Sequence, residues 1–412
     1  MSFNDKDKHI LRELAKQVAE IAAHPHQSTY REMWRRHNRL EKVKPMVLVF
    51  PEGAWQELLP QSLLQSEDGL ARAIEWHLRH VIYRWENLRD NNVIEPWIKV
   101  GLAWSSTGWG LTPTTKPSTT ARGAFAFDPQ IKEPEDIAKL KFPDLIIDEE
   151  QTQRNFEILH EALGDILQVK THRRIGWWGE CSIIYVFSQL RGLEQMMLDM
   201  VDRPEWFHEV MSFFTEGTMR WFDQVEAYNK LDLANTDDYV GSGGVAYTDE
   251  LPAPDFNGRV RLKDLWGFAE AQEISQVSPD MCEEFVYQYQ RKVLARFGLN
   301  CFGCCEPVTD RINYVKKIPN LRRVSISPWA DLKIAAEQLQ DKYIFSWKPN
   351  PAMMVGNFDT ERIRKNIREA LEIADGCVFE MILKDTHTVE NDPSRLSKWV
   401  EIANEETSKY IR

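Results

Sequence analysis

Apolar residues first recur at helical spacing and then, past residue 45, collect into short runs parted by longer amphipathic stretches. LRELAKQVAEIAAH (11–24) sets apolar side chains three and four apart, and TYREMWRRHNRLEKV (29–43) repeats the pattern after the break at Pro25. Residues 1–44 are therefore expected to form an N-terminal helical extension. From residue 45 to 412 the alternation predicts parallel strands with crossover helices. The strand-like runs are Met46–Phe50, Ile98–Trp104, Arg174–Trp178, Ala234–Tyr239, Leu299–Cys304, Arg323–Ser327, Tyr343–Trp347 and Cys377–Leu383. Eight is the number that closes a (β/α)8 TIM barrel. Two gaps exceed the length of a helix: 105–170, with the tract STGWGLTPTTKPSTT, and 241–265, rich in Gly and Pro. Loops of that length commonly decorate an active-site mouth.

In such a barrel, catalytic groups stand at the carboxyl ends of strands. That rule singles out several candidates. Cys304, Cys305 and Glu306 follow the fifth run, where the thiols and carboxylate are metal ligands or acid–base groups, or else simply small buried residues. Asp385 and His387 follow the eighth, with Lys384 as a charge partner. Asp237 and Asp238 precede a Gly-Ser-Gly-Gly loop, where they serve as acid, base or turn residues. Glu180 is a second candidate catalytic acid, and Trp178, Trp104 and Trp347 offer ring faces to a substrate. Lys348 and Asn350 lie on the double-proline turn SWKPNP and are candidate substrate contacts. Asp331 is expected to cap a helix. Tyr185, Gln272 and Glu273 are candidates for a supporting layer.

Composition narrows the field. With 43% hydrophobic and 28% charged residues the chain reads as globular, and its net charge of −12 argues against a nucleic-acid partner. The six cysteines follow neither a secreted disulfide framework nor paired C-x-x-C spacing. The polar start MSFNDKDKH shows no secretory signal, and no apolar run nears the roughly 20 residues of a membrane helix. A cytoplasmic location with reduced thiols is the expectation. GSGG (241–244) lacks the context of a dinucleotide loop, and no Walker lysine motif is present.

Four segments carry a family resemblance: GWWGECSIIYVFSQLRGLEQMMLDMVDRPEWFHEVMSFF, ANTDDYVG, ISQVSPDMCEEFVYQYQRKVL and FSWKPNP. Their order from about Pro45 onward resembles the uroporphyrinogen decarboxylase superfamily. True decarboxylases of that family carry an arginine-rich segment after the first strand. VFPEGAWQELLP stands there instead, with no Arg and with Glu52 and Glu57. The chain therefore looks more like the corrinoid-linked methyltransferases of the superfamily. Those bind zinc through a His-x-Cys after the fifth strand and a Cys after the eighth; GCCEP (303–307) and LKDTHTV (383–389) stand at these places. The resemblance implies transfer of a methyl group from a small methoxy or methylamine donor to the cobalt of a corrinoid carried by a separate protein. It also implies zinc at Cys304 or Cys305 with Asp385 or His387, and allows a homodimer. Asp238 and Glu180 would orient the donor and Trp178 would pack it. The alternatives are a cofactor-free decarboxylase or lyase of a small acid, using Asp238 and Lys348, and a barrel that only binds a ligand.

Overall fold

The computed structural model describes residues 2–120, 123–176 and 181–410. Eight parallel strands run through them: β1 (Met46–Val49), β2 (Trp97–Gly101), β3 (Gln168–His172), β4 (Trp266–Ala269), β5 (Leu299–Phe302), β6 (Leu321–Ile326), β7 (Ile344–Trp347) and β8 (Val378–Leu383). Six form one sheet in the order β1-β8-β7-β6-β5-β4, and β2 pairs with β3 in a second. Among the described residues no strand ladder joins the two sheets. Two short antiparallel ribbons, 104–106 with 145–147 and 114–116 with 126–128, occupy the first long gap.

The pleat explains the layers. Alternate side chains of the large sheet face opposite ways. Val47, Val49, Val324, Ile326, Phe345, Phe379, Met381 and Leu383 pack with the helices in the main core. Each fully buried side chain of this size contributes roughly 2 kcal/mol. On the other face Met46, Leu48 and Ile382 meet Trp34, Val245 and Tyr247, while Phe268, Leu299 and Cys301 meet Val240 and Ala246. The loop 240–247 therefore fills the inner face. Helix Pro25–Asn38 closes it from one end: Asn38 donates to Val245 O (2.9 Å) and Tyr247 O (2.7 Å). His37 Nε2 lies 2.9 Å from the buried Glu380, which also meets Arg323 at 2.9 Å.

The free edge of β1 is covered by the segment Asp90–Asn91 rather than by a strand. Asn91 N donates to Val47 O, Asn91 Oδ1 accepts from Val47 N (both 2.8 Å), and Asp90 Oδ2 accepts from Val49 N (3.0 Å).

Several strand expectations need correction. The third strand is Gln168–His172, not Arg174–Trp178; residues 174–176 carry no strand, and 177–178 lie outside the described residues. Ala234–Tyr239 forms no strand, only one isolated bridge from Tyr239 to Val245. Its acids bond to side chains of β2 and β3 instead of joining a ladder. Trp266–Ala269 takes its place in the sheet. The run Ile98–Trp104 divides, because Trp104–Ser106 belongs to a ribbon. Asp331 does cap the helix Leu332–Leu339, accepting from Lys333 N and Ile334 N.

Candidate functional site

Register fixes the rim. Val49 pairs with Leu383, Met381 with Trp347, Trp347 with Ile326, and Ala269 with Phe302. The residues just beyond these strands, among them Glu270, Gly303 and Lys384, therefore share one end of the sheet.

Gly303, at a φ of +95°, turns the chain after β5 and delivers Cys304, Cys305 and Glu306. The two sulfurs are 3.6 Å apart. Lys384 Nζ is 3.7 Å from Cys304 Sγ and 3.6 Å from Asp385, and Cys305 Sγ is 3.9 Å from Asp385 Oδ2. The hydrogen bond from the Cys304 thiol lowers the pKa of Cys305, against burial. Burial disfavours the Lys384 charge, but Cys304, Asp385 and Glu52 outweigh it and raise its pKa. Glu306 is wholly buried; its oxygens accept from Ala271 N (2.9 Å) and Cys304 N (2.8 Å), and burial raises its pKa.

Two further carboxyl groups join it. Glu270, at the end of β4, is 2% exposed and accepts from Gln272 N at 2.8 Å. Burial and then the charges of Glu273 and Glu306 push its pKa well above the usual carboxylate range. Glu273 is pushed to about 7, chiefly by burial. Across the rim, Glu52 is raised to about 7 by enclosure in protein and by Asp385. Like charges that cannot all ionise leave protons on some of these groups at neutral pH.

Asp238 stands on a different wall. It is 6% exposed and meets Lys99 of β2 at 3.0 Å and His172 of β3 at 3.1 Å. Asp237 meets the same Lys99 at 2.8 Å. Among the described residues no hydrogen bond or ion pair links Asp238 to the thiols. His387 is exposed beside the loop after β1, where a Cβ on Gly53 would come within 2.9 Å of its Nδ1. Trp347 packs in the main core against Phe379, ring centres 6.1 Å apart, and Trp104 packs against Trp221 at 5.8 Å. Lys348 is sealed under Gly243, donating to Ser346 Oγ (2.6 Å) and to Ser346 O (3.1 Å); burial lowers its pKa to about 8. Asn350 caps the turn Pro351–Met354. Trp178 and Glu180 lie outside the described residues.

The chain has the fold of a known enzyme. It superposes on a methyltransferase from Methanosarcina mazei with a TM-score of 0.52 and 10% identity, over 90% of this chain and 96% of that one. No protein-family model matches the sequence, and no curated protein does. The likeness spans nearly the whole length of both proteins and is one of fold. No described helix is long and apolar enough to cross a membrane.

Sequence reasoning passed over Glu270, although WGFA followed by an acid is a strand-end signal of the same kind as FGCCE. It gave Glu52 only a negative role, as a mismatch to another substrate. Tyr239, whose ring centre is 4.3 Å from that of Phe50, was read as a strand end only.

Proposed function

We propose that this chain is a methyltransferase that moves a methyl group from a small oxygen- or nitrogen-methylated donor to the cobalt of a corrinoid held by a separate protein. The two sheets are read as arcs of one (β/α)8 barrel, with Asp237 and Asp238 bonded to β2 and β3 and with Asp90 and Asn91 bonded along the edge of β1. The observation that carries the reading is the buried carboxyl group of Glu270 at the strand ends, whose pKa is raised by burial and then by the charges of Glu273 and Glu306. The fold shared with a methyltransferase supports it.

The bound corrinoid would supply the nucleophile that accepts the methyl group. The chain's own task is to hold the donor and to make its heteroatom a better leaving group. Glu270, backed by Glu273, gives that heteroatom a proton as the carbon–heteroatom bond breaks. Glu306, fixed by two backbone N–H groups, holds the carboxyl cluster in place and keeps the Cys304 peptide oriented.

Zinc was expected at the thiols. Two thiols and a carboxylate are suitable donors in kind. However, an ammonium already stands within 3.7 Å of Cys304 and 3.6 Å of Asp385, and no group of three His, Cys, Asp or Glu among the described residues is arranged to hold a metal. The residues as arranged do not fit the ion, and no step here uses it. Decarboxylation through Asp238 and Lys348 is disfavoured too, because Lys348 is sealed beneath Gly243.

The test is spectroscopic. Reduced cobalamin incubated with the protein and a methylated donor should lose its cobalt(I) bands, and Glu270→Gln should slow the loss. Unchanged bands with every methoxy and methylamine donor tried would sink the proposal.

A further inference from the structure

A cavity of about 360 Å³ lies at the seam between the two sheets, where β1 and β2 fail to pair. Its size falls within the range of small-molecule sites, roughly 300–1,000 Å³. Aromatic and aliphatic groups form most of the wall, including Phe50, Trp97, Leu78 and Val245. The charged groups around it already answer one another. Glu95 takes both hydrogen bonds of Arg31 at 2.8 Å and one from Tyr247. Asp237 is met by Lys99 (2.8 Å), Trp97 Nε1 (3.2 Å) and Thr236 Oγ1 (3.0 Å). Arg84 pairs with Asp90 and donates to Val49 O at 2.9 Å, while its buried Nε has no partner among the described residues.

Two neutral groups remain. The His77 imidazole is open to the cavity, and neither it nor the Tyr239 hydroxyl has a hydrogen-bond partner among the described residues. Burial lowers the pKa of His77 and raises that of Tyr239, so both stay uncharged near neutral pH. The neighbouring His80, held against Trp55 at 4.0 Å, is lowered to about 3 by burial and by Arg84. The wall thus offers ring faces and two neutral polar tips, with no net charge left to meet an ion. A charged ligand would lose its hydration without gaining a counter-charge.

We infer that the seam cavity binds an uncharged aromatic molecule with an oxygen substituent, an aryl methyl ether or a phenol, its ring against Phe50 and Trp97 and its oxygen at His77 and Tyr239. The binding does not depend on the methyl-transfer reading, whose proton donor Glu270 is not among the residues lining this cavity. The wall favours a methoxyarene over a methylammonium, which finds no unpaired acid here.

Calorimetric titration of the full chain tests this with three probes: 2-methoxyphenol, tetramethylammonium and benzoate. The first should bind at least tenfold more tightly than either ion, a comparison that needs no variant. Tyr239→Phe should weaken 2-methoxyphenol about tenfold, the loss of one hydrogen bond. Val245→Phe, which fills the cavity, should weaken it tenfold or more, with thermal melting of both variants confirming that they fold. Absence of heat with 2-methoxyphenol, equal binding of either ion, or a folded Val245→Phe that binds like wild type would overturn the inference. Arene binding without loss of cobalt(I) bands would uphold the site and remove the methyl-transfer reading. Transfer from a methylamine with no arene binding would do the reverse.

Discussion

The acid role proposed for Glu270 rests on surroundings that make its anion costly: it is buried, and two more carboxyl groups stand close by. Replacing it by Gln keeps the shape and removes the proton. Methyl transfer by Glu270→Gln should fall about 100-fold or more, the usual scale for a lost general acid, with little change in melting temperature. Glu273, with a pKa of about 7, sets a pH limb. Its folded pKa lies above the ordinary value of 4.5, so the stability it contributes is complete below 4.5 and is lost as pH rises through 7. Two results should follow. The transfer rate should decline above about pH 7, and Glu273→Gln should melt higher than wild type at pH 8 but not at pH 4. A rate that climbs steadily through pH 8 would contradict the acid role.

At the scale of elements, the buried polar set on the inner face ties helix Pro25–Asn38 and the loop 240–247 to the sheet. Arg323 and His37 hold the Glu380 carboxyl down to about 2 although burial opposes it. Its contribution is present above the ordinary 4.5 and disappears as pH falls toward 2. Glu380→Gln should cost roughly 3–5 kcal/mol at neutral pH in denaturant melts, since Arg323 would remain buried without its partner, and the gap should narrow in acid. Gly244 has a φ of +72°, and a Cβ there would come 2.4 Å from Arg323 Nη2. Gly244→Ala should therefore destabilise by about 1–3 kcal/mol in the same melts.

The same elements explain what could be read from the chain. The runs 46–50, 299–304, 323–327, 343–347 and 377–383 were legible because both faces of the large sheet are covered, which writes a nearly continuous apolar stretch. QVKTH (168–172) was not legible: Lys170 and His172 break its apolar run, leaving Val169 as its only buried residue. Residues 174–178, with Ile and two Trp, drew the assignment instead. ANTDDYV has the look of a strand, yet Asp237 and Asp238 serve as side-chain bridges. The thiols, Glu306 and Asp385 were visible as strand-end residues. The carboxyl trio was not, because it depends on β4, a four-residue strand behind a Gly- and Pro-rich loop.

For the molecule as a whole, the N-terminal helices are more than an appendage. Helix Asp5–Ala22 packs in the core that covers β2 and β3, and the next helix reaches the inner face of the large sheet. A chain lacking residues 1–44 is expected to lose the cooperative melting transition rather than yield a stable barrel, as calorimetry would reveal. Metal analysis of anaerobically purified protein should find well under one zinc per chain. A stoichiometric ion would mean that Lys384 had yielded its place.

The side-chain cover on β1 also bears on solubility. A bare strand edge is a template on which another chain can add itself, the first step toward fibrous or amorphous deposits. By presenting an amide and a carboxylate where a neighbouring backbone would bond, Asn91 and Asp90 leave that template already occupied. Their loss would expose fresh bonding groups beside an apolar cavity, making the protein prone to precipitate as its concentration rises.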